Sequence, residues 1–155
     1  MGLIPAEETI RLSCIHLITL RHLETGEVRS FEFRNIVLSL GKNMLARRLA
    51  GEENPCDLTW GAVGTGTTPP APGDETLETE LYRKPISQRS AVGNQVRTTV
   101  YFGPLEANGD LREYSFFGED ADGTPDSGTI FNRAAINVNK TSSYTMNIDS
   151  TLTIS

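Results

Sequence analysis

Two runs near the start of the chain have the pattern of strands: the first is rich in apolar residues, and the second alternates polar and apolar positions. The run "IRLSCIHLITLRH" (10–22) is rich in β-branched residues and contains no Gly or Pro, and "GEVRSFEFRN" (26–35) follows it after a short loop. Two strand-like runs joined by a loop that contains Gly predict a β-hairpin. The first nine or ten residues of the chain are interpreted as an extended N-terminal arm.

The first run is apolar at odd and at even positions. Ile15 and Leu17 would lie on one face of a strand, and Ile18 and Leu20 on the other. Because successive side chains point to opposite faces, we expect both faces to be covered, by the domain core or by another subunit. These four residues are therefore predicted as candidate subunit contacts. The arm and hairpin (1–35) would either join the main sheet or contact a neighbour.

The hydrophobic period changes in "LSLGKNMLARRLAGEENP" (38–55), where apolar residues recur three and four positions apart. Ser39 is a suitable N-cap, Gly51 suits the left-handed position that ends many helices, and Pro55 cannot continue a helix. Two arginines near the end complement the negative end of the helix dipole. The pattern predicts an α-helix near residues 39–50.

Strand-like segments and turn-forming residues fill most of the remaining chain. The predicted strands are 57–66, 95–103, 111–119, 128–138 and 142–155. Short strands separated by turns every 8–15 residues are typical of an antiparallel β-sandwich. We therefore predict a mainly β fold, with the sandwich domain spanning residues 36–155.

The stretch "WGAVGTGTTPPAPGDETLETELYRKPIS" (60–87) concentrates Gly, Thr and Pro. Gly61 and Gly66 have the spacing of a phosphate-binding loop, but Thr67 stands where that motif needs Lys. The sequence therefore argues against nucleotide binding. We interpret the stretch as a stiff connector, in which the glycines adopt positive φ angles and the prolines restrict the chain.

The second half of this connector is acidic and has helical spacing. Asp74 is a suitable cap, two glutamates would lie near the positive end of the dipole, and Leu77 and Leu81 are four residues apart. These features predict a second short helix near residues 74–82, anchored on the sheet by the two leucines.

Composition and charge exclude several classes of protein. The chain has 155 residues, which suits a single domain, and its net charge is −6. An acidic chain is a poor match for nucleic acid, because phosphate binding needs a basic face. The longest apolar runs are too short to cross a bilayer, and the first residues do not have the pattern of a signal peptide. No nucleic-acid or membrane partner is predicted.

Cys14, His16 and His22 would point to one face of a strand and so invite a metal interpretation. The two histidines, however, would lie roughly 20 Å apart at about 3.3 Å per residue, too far to share an ion. Cys14 and His16 would need Cys56 and a fourth ligand from elsewhere. We expect instead a buried thiol and a polar strand residue, with both cysteines reduced.

The loop "EDADGTPDSG" (119–128) carries oxygen donors. Asp120, Asp122 and Asp126 are a weak calcium candidate, because the order of the acids around Gly123 does not follow the EF-hand pattern. The alternative is a solvated acidic loop tip. No other metal and no cofactor are predicted. The chain lacks a G-x-S-x-G motif, and its only two histidines both lie near the N terminus, so a Ser–His–Asp arrangement would arise only by chance. We therefore predict that the chain is not an enzyme.

Several motifs occur in a recognisable order. "NIVLSLGKNMLARRLAG" is followed by "AVGTGTTPPAPGDETLETELYRKPIS", "FGPLEANGDLREYSFFG", "SGTIFNRAAI" and "KTSSYTMNIDSTLTIS". This order, over about residues 26–155, resembles small structural proteins of tailed bacteriophages, of the tail, tail fibre or baseplate. Ser115 replaces a Gly that the family pattern tends to have in "REYSFFG".

The resemblance implies a virion building block without a catalytic motif. Short strands, stiff proline connectors and a strand apolar on both faces suit a homo-oligomer, a ring or a trimer, that also packs against other virion proteins. The expected location is the virion, after synthesis in a host cytoplasm. A capsid decoration or head–tail collar protein is the alternative.

A carbohydrate-binding module is a further alternative, because β-sandwiches often bind glycans, here those of a host surface. Its stacking platform would come from aromatic residues that we expect to lie mostly in the core: Trp60, Tyr101, Tyr114, Phe116 and Phe117.

Overall fold

The computed structural model describes residues 2–4, 6–52 and 57–155, and within these ranges it contains one helix and ten strands. In chain order the elements are β1 (Leu12–His22), β2 (Val28–Val37), α1 (Ser39–Ala50), β3 (Leu58–Gly64), β4 (Glu80–Pro85), β5 (Gln88–Val92), β6 (Gln95–Phe102), β7 (Gly109–Gly118), β8 (Thr129–Ile130), β9 (Asn132–Lys140) and β10 (Tyr144–Ile154). The predicted mainly β, antiparallel fold class is confirmed.

The strands form one antiparallel sheet that curls around a shared core. The order of the strands is β4-β3-β7-β9-β2-β1-β10-β6-β5, and the short β8 pairs with β7. The outermost strands β4 and β5 are joined by two residues only. Ile86 donates its N–H to Thr59 of β3, and Ser87 donates to Thr99 of β6. The two ends of the sheet are therefore brought together, which gives the sandwich its two layers.

The predicted hairpin is present and belongs to the main sheet. β1 pairs with β2, with Leu20 opposite Arg29, and the loop between the strands contains Gly26 at φ 71°. β1 also pairs with β10, and β2 continues into a short pairing with β9. The hairpin thus lies at the centre of the strand order and connects the two layers.

The first predicted helix is confirmed as α1, over Ser39–Ala50. Its N-cap is Leu38 and not Ser39, and no side chain caps it. Gly51 ends it in the left-handed conformation, at φ 69°. Gly41 packs closely against Phe131, which lies between β8 and β9. A Cβ on Gly41 would therefore lie 2.1 Å from the Phe131 carbonyl oxygen. Pro55 lies outside the described residues.

The second predicted helix, near residues 74–82, is wrong. Residues 74–79 are irregular, with bends at 76, 78 and 79, and β4 begins at Glu80. Leu77 is buried in a small core cluster, whereas Leu81 is 43% exposed on the strand. The two leucines therefore do not share one face, and the helical spacing in the sequence has no structural counterpart.

Most of the other predicted strands occur close to their expected positions, as β3, β6, β7 and β10. The segment 128–138 is divided at Phe131, whose N–H donates to Phe116 and whose carbonyl accepts from Leu38. β5 was not predicted, because the sequence "QRSAV" has no alternation and all five of its residues are exposed.

No helix in the described ranges has the length and apolar character of a membrane span.

Two hydrophobic clusters lie on opposite faces of β7. The larger cluster fills the space between the layers and includes Ile18, Tyr114 and Ile148. The smaller one holds Leu77 and Phe117 on the outside of the same strand. β7 is consequently buried on both faces from Glu113 to Gly118, so the charged Glu113 must find its partners inside the protein.

Candidate functional site

Glu113 lies on the outer face of β7 and fixes the Gly-Thr-Pro connector to the sheet. Its carboxylate accepts hydrogen bonds from the backbone N–H groups of Gly66, Glu78 and Thr79 at 2.9–3.0 Å. Arg133 of β9 donates to it at 2.8 Å, and the two side chains are 1% and 4% exposed. These donors replace the hydrogen bonds to water that the carboxylate gives up when it is buried. We call this group the connector clamp.

The glycines of the connector serve close approach and not positive φ. Gly64 and Gly66 are not among the glycines with positive φ, so this part of the sequence interpretation is wrong. A Cβ on Gly64 would lie 2.4 Å from the Thr79 carbonyl oxygen and from a Glu113 carboxylate oxygen. A Cβ on Gly66 would lie 2.4 Å from Cβ of Glu78. Only glycine lets the connector come this near to the carboxylate.

Arg133 extends the clamp to the proline-rich part of the connector. It donates to the Thr68 carbonyl oxygen at 3.0 Å and to Asp74 at 2.6 Å. Asp74, which was predicted as a helix cap, also accepts from the Ala71 N–H. Burial pushes the pKa of Asp74 upward, but these hydrogen bonds outweigh it and hold the pKa below its ordinary value. Arg133 thus joins three segments of the chain, namely β9, β7 and the connector.

A second buried ion pair holds the loop 119–128. Arg83 and Glu80 of β4 pair with side chains 3% and 2% exposed. Arg83 also donates to the carbonyl oxygens of Asp122 and Ser127 at 3.1 Å. Its guanidinium lies 4.4 Å from the centre of the Phe117 ring. The pair therefore ties the loop to the outer face of the sheet.

Two of the three acids of this loop, Asp122 and Asp126, interact with other residues of the fold. Asp122 accepts from the Thr124 N–H, which lowers the pKa of Asp122. Burial and the neighbouring Glu80 raise the pKa of Asp126, and Asp120 is exposed. Across the described ranges, no three His, Cys, Asp or Glu residues are placed to hold one metal ion. The described geometry therefore favours the acidic loop tip, and the calcium site stays a prediction from the sequence.

β1 separates the residues that invited a zinc interpretation. Cys14 is buried among apolar residues, and desolvation raises the pKa of its thiol to about 12. His22 lies near the end of β1, where its ring packs edge-on against Tyr144 at 5.0 Å. Cys56, the proposed third ligand, lies outside the described residues. Cys14 is a free thiol, as expected.

His16 forms a polar row across the core. The geometry fits a neutral ring that donates from Nε2 to Asn35 Oδ1 and accepts at Nδ1 from Ser150 Oγ, both at 2.7 Å. Desolvation lowers the pKa of His16 to about 4, against a smaller upward effect of the Asn35 bond. Asn132 continues the row by donating to Asn35 and accepting from the Phe116 N–H.

A serine hydroxyl on a neutral imidazole resembles the first two members of a hydrolytic triad. His16, however, is 0% exposed, and Ser150 is 3% exposed. Ser150 lines a surface cavity on β5, β6 and β10, but His16 lines neither that cavity nor the one beside β4. The hydrogen bonds of the pair satisfy polar groups inside the core. Ser115, also fully buried, leaves its hydroxyl without a partner among the described residues.

The four predicted subunit contacts divide between the two faces of β1. Ile18 and Leu20 are 0% and 3% exposed and belong to the main core, so a neighbouring subunit has no access to them. Their prediction as contacts is wrong, since the second layer already covers that face. Leu17 is exposed and Ile15 is half-buried on the outer face of the sheet. These two residues stay predicted contacts.

The aromatic residues are mostly internal. Tyr114, Phe116 and Phe117 are buried, Trp60 is half-buried, and Tyr101 is the most exposed of the five. Two shallow cavities of about 260 Å³ open on the surface. One lies beside β4 and the loop 119–128, and the other lies on β5, β6 and β10. None of these five aromatic residues lines either cavity. A row of stacking rings for a glycan is therefore not assembled in the described structure.

The N-terminal arm carries the two most exposed large apolar side chains of the described residues. Leu3 is 98% exposed and Ile4 is 94% exposed, and Ile10 of the same arm is 73% exposed. The described residues of the arm, 2–4 and 6–11, lie outside the strands, and its base is held by a pair of backbone hydrogen bonds between Arg11 and Ser155. The sequence had predicted an arm, and the structure shows that its apolar residues are not buried within this chain.

No family model, curated protein or solved structure matches this chain.

Proposed function

We propose that this chain is a structural building block of a tailed-bacteriophage virion and that it lies in the tail, the baseplate or the tail fibre. It acts by packing against copies of itself and against other virion proteins. The observation that carries the proposal is the connector clamp. Gly66, Glu113 and Arg133 come from three different motifs of the phage resemblance, and Glu113 forms hydrogen bonds with both of the others inside the fold.

The clamp indicates what these motifs do physically. Buried charges are costly unless they are paired and hydrogen-bonded, and here they hold a long connector rigidly on the outside of a sheet. A rigid shape without a reactive centre serves a protein that must fit between fixed neighbours. The exposed apolar arm supports the same role, because such side chains are commonly covered by a partner.

The test is to locate the chain in purified particles of the phage that encodes it. We expect the chain in the proteins of intact virions, and we expect gold-labelled antibody against it to mark the tail or baseplate. A label on the capsid or collar would replace the proposal with the capsid decoration or collar alternative. Particles that lack the chain altogether would overturn a structural role.

A further inference from the structure

We infer that the N-terminal arm (2–11) of one copy adds an extra strand to the open edge of β5 in a second copy. The inference rests on the proposed function in one respect, that the chain assembles with itself. It adds the segment that makes the contact, the surface that receives it and the type of pairing, which is strand addition.

The arm has the composition of a segment that is buried on assembly. Leu3 and Ile4 are almost fully exposed in the single chain, and Ile10 is mostly exposed. Burying such side chains would remove a large apolar area from water. An extended segment of ten residues reaches roughly 30 Å at about 3.3 Å per residue. That length is sufficient to lie along a strand of a neighbouring copy.

β5 is the receptive edge of the sheet. It pairs only with β6 among the described strands, and all five of its residues are exposed. It contains no Pro and no bulge, the usual devices that prevent pairing at a sheet edge. β4, the other edge strand, ends in Pro85 and is tied through Arg83 to the loop 119–128. β5 therefore offers unpaired backbone groups where β4 is obstructed.

Local charge favours this pairing although the whole chain is acidic. The arm carries Glu7 and Glu8, and the surface beside the β5 edge carries Arg97 of β6, whereas Arg89 of β5 already pairs with Asp57. The Arg97 side chain is exposed and hydrogen-bonded only to Gln95 among the described residues. Opposite charges on arm and edge would offset the general repulsion between copies that carry a net charge of −6.

The base of the arm and the end of β5 lie at the same end of the sheet. Arg11 pairs with Ser155, and the neighbouring Ile154 exchanges hydrogen bonds with Asn94 in the β5–β6 turn. Ile154 and Val92 are exposed there, 37% and 48%. The arm of one copy can therefore reach the corresponding end of the sheet in a second copy, and the arm of the second copy can bind the first copy in the same way. The geometry thus suits reciprocal exchange as well as a ring.

The first experiment measures self-association of the full chain by sedimentation velocity over a range of concentrations. We expect an oligomer, and the paired substitution Leu3→Ser with Ile4→Ser should weaken self-association roughly a hundredfold. Leu49→Ser with Leu105→Ser is the matched control, because both leucines are 87% exposed away from the arm. The control should assemble normally. A chain that is monomeric at all concentrations, or equal effects of the two pairs, would overturn the inference.

The second experiment identifies the receiving edge by charge exchange. Glu7→Arg with Glu8→Arg should weaken association, and Arg97→Glu should weaken it as well. Joining the three substitutions in one chain should restore most of the affinity if the groups face each other. Equal weakening without restoration would show that the arm binds elsewhere.

A chemical cross-link provides a direct readout. In a Cys56→Ser background, chains with Ile4→Cys are mixed with chains that carry Ser90→Cys on β5, and a short bismaleimide is added. We expect a mixed cross-linked dimer. Ser142→Cys, in the β9–β10 turn, is the control position and should give little product. Cross-linking to position 142 as strongly as to position 90 would reject the β5 edge. These outcomes leave the virion location untouched, so the two proposals fail independently.

Discussion

Glu113 of β7 and Arg133 of β9 form an ion pair with 2.8 Å between a carboxylate oxygen and a guanidinium nitrogen, and neither side chain is more than 4% exposed. The Glu113 carboxylate also accepts hydrogen bonds from three backbone N–H groups of the connector. Because no water can replace a lost partner there, the pair should dominate the stability of the connector and of the outer face of β7.

Glu113→Gln should destabilise the protein strongly. The change leaves Arg133 without its buried countercharge, and breaking such a pair costs about 3–5 kcal/mol. Urea unfolding followed by circular dichroism would measure the free energy of unfolding. Glu27→Gln is the matched control, since its ion pair with Arg29 is 57% exposed on both sides and should be worth less than about 1 kcal/mol. Similar effects of the two variants would contradict the clamp.

Gly64→Ala should also destabilise the protein, although it adds a single methyl group. The new Cβ would meet the Thr79 carbonyl oxygen and the Glu113 carboxylate at 2.4 Å, and overpacking of this kind costs about 1–3 kcal/mol. Gly73→Ala is the control, because nothing lies within 4 Å of its Cβ position and its φ is not positive. Thermal unfolding of both variants would test the difference. A neutral Gly64→Ala would mean that the connector does not approach the sheet so closely.

His16 should make stability depend on pH. Its folded pKa is lowered to about 4 from 6.5, so the unfolded chain binds a proton that the folded chain excludes. The contribution is fully present above pH 6.5 and is lost as the pH falls towards 4, by about 3 kcal/mol in total. Groups in contact with the ring are neutral: Asn35, Ser150, Tyr114 and Phe116.

The measurement is the free energy of unfolding between pH 7 and pH 5, where most carboxylates are still ionised. Wild-type stability should fall over this interval, and His16→Gln should show a flatter profile although its stability at pH 7 is lower. Parallel profiles for the two proteins would show that His16 is not the responsible group.

The sequence predicted those elements whose signals are local. α1 was found because its apolar spacing and the terminal Gly51 act within one helix. The hairpin was found because β1 and β2 pair across a short loop. The same reasoning failed at residues 74–82, where the N–H groups of Glu78 and Thr79 bond to Glu113, which is distant in sequence. A local pattern cannot reveal a partner on another strand.

The connector clamp itself left only a faint trace in the sequence. Glu113 and Arg133 are opposite charges in two predicted strands, each surrounded by apolar residues. Such pairs can be suspected but not matched without the register that places β7 beside β9. The polar row around His16 is equally hidden, because its members are separated by up to 134 positions along the chain.

The division between the two faces of β1 follows the same logic. All four apolar residues of the predicted contact suit either a core or an interface, and the sequence does not separate these roles. The curled sheet decides, because its second layer covers Ile18 and Leu20 and leaves Leu17 exposed.

By itself, the amino-acid sequence determined the β class, the hairpin, the first helix and the presence of an arm, since each depends on side-chain period, turn residues and caps within a few neighbouring positions. The tertiary structure decided which glycines must be glycine, which charges are buried together and which edge of the sheet stays open. Those features arise from contacts between residues far apart in the chain, where burial removes water and each charged or polar group depends on the partner that the fold supplies.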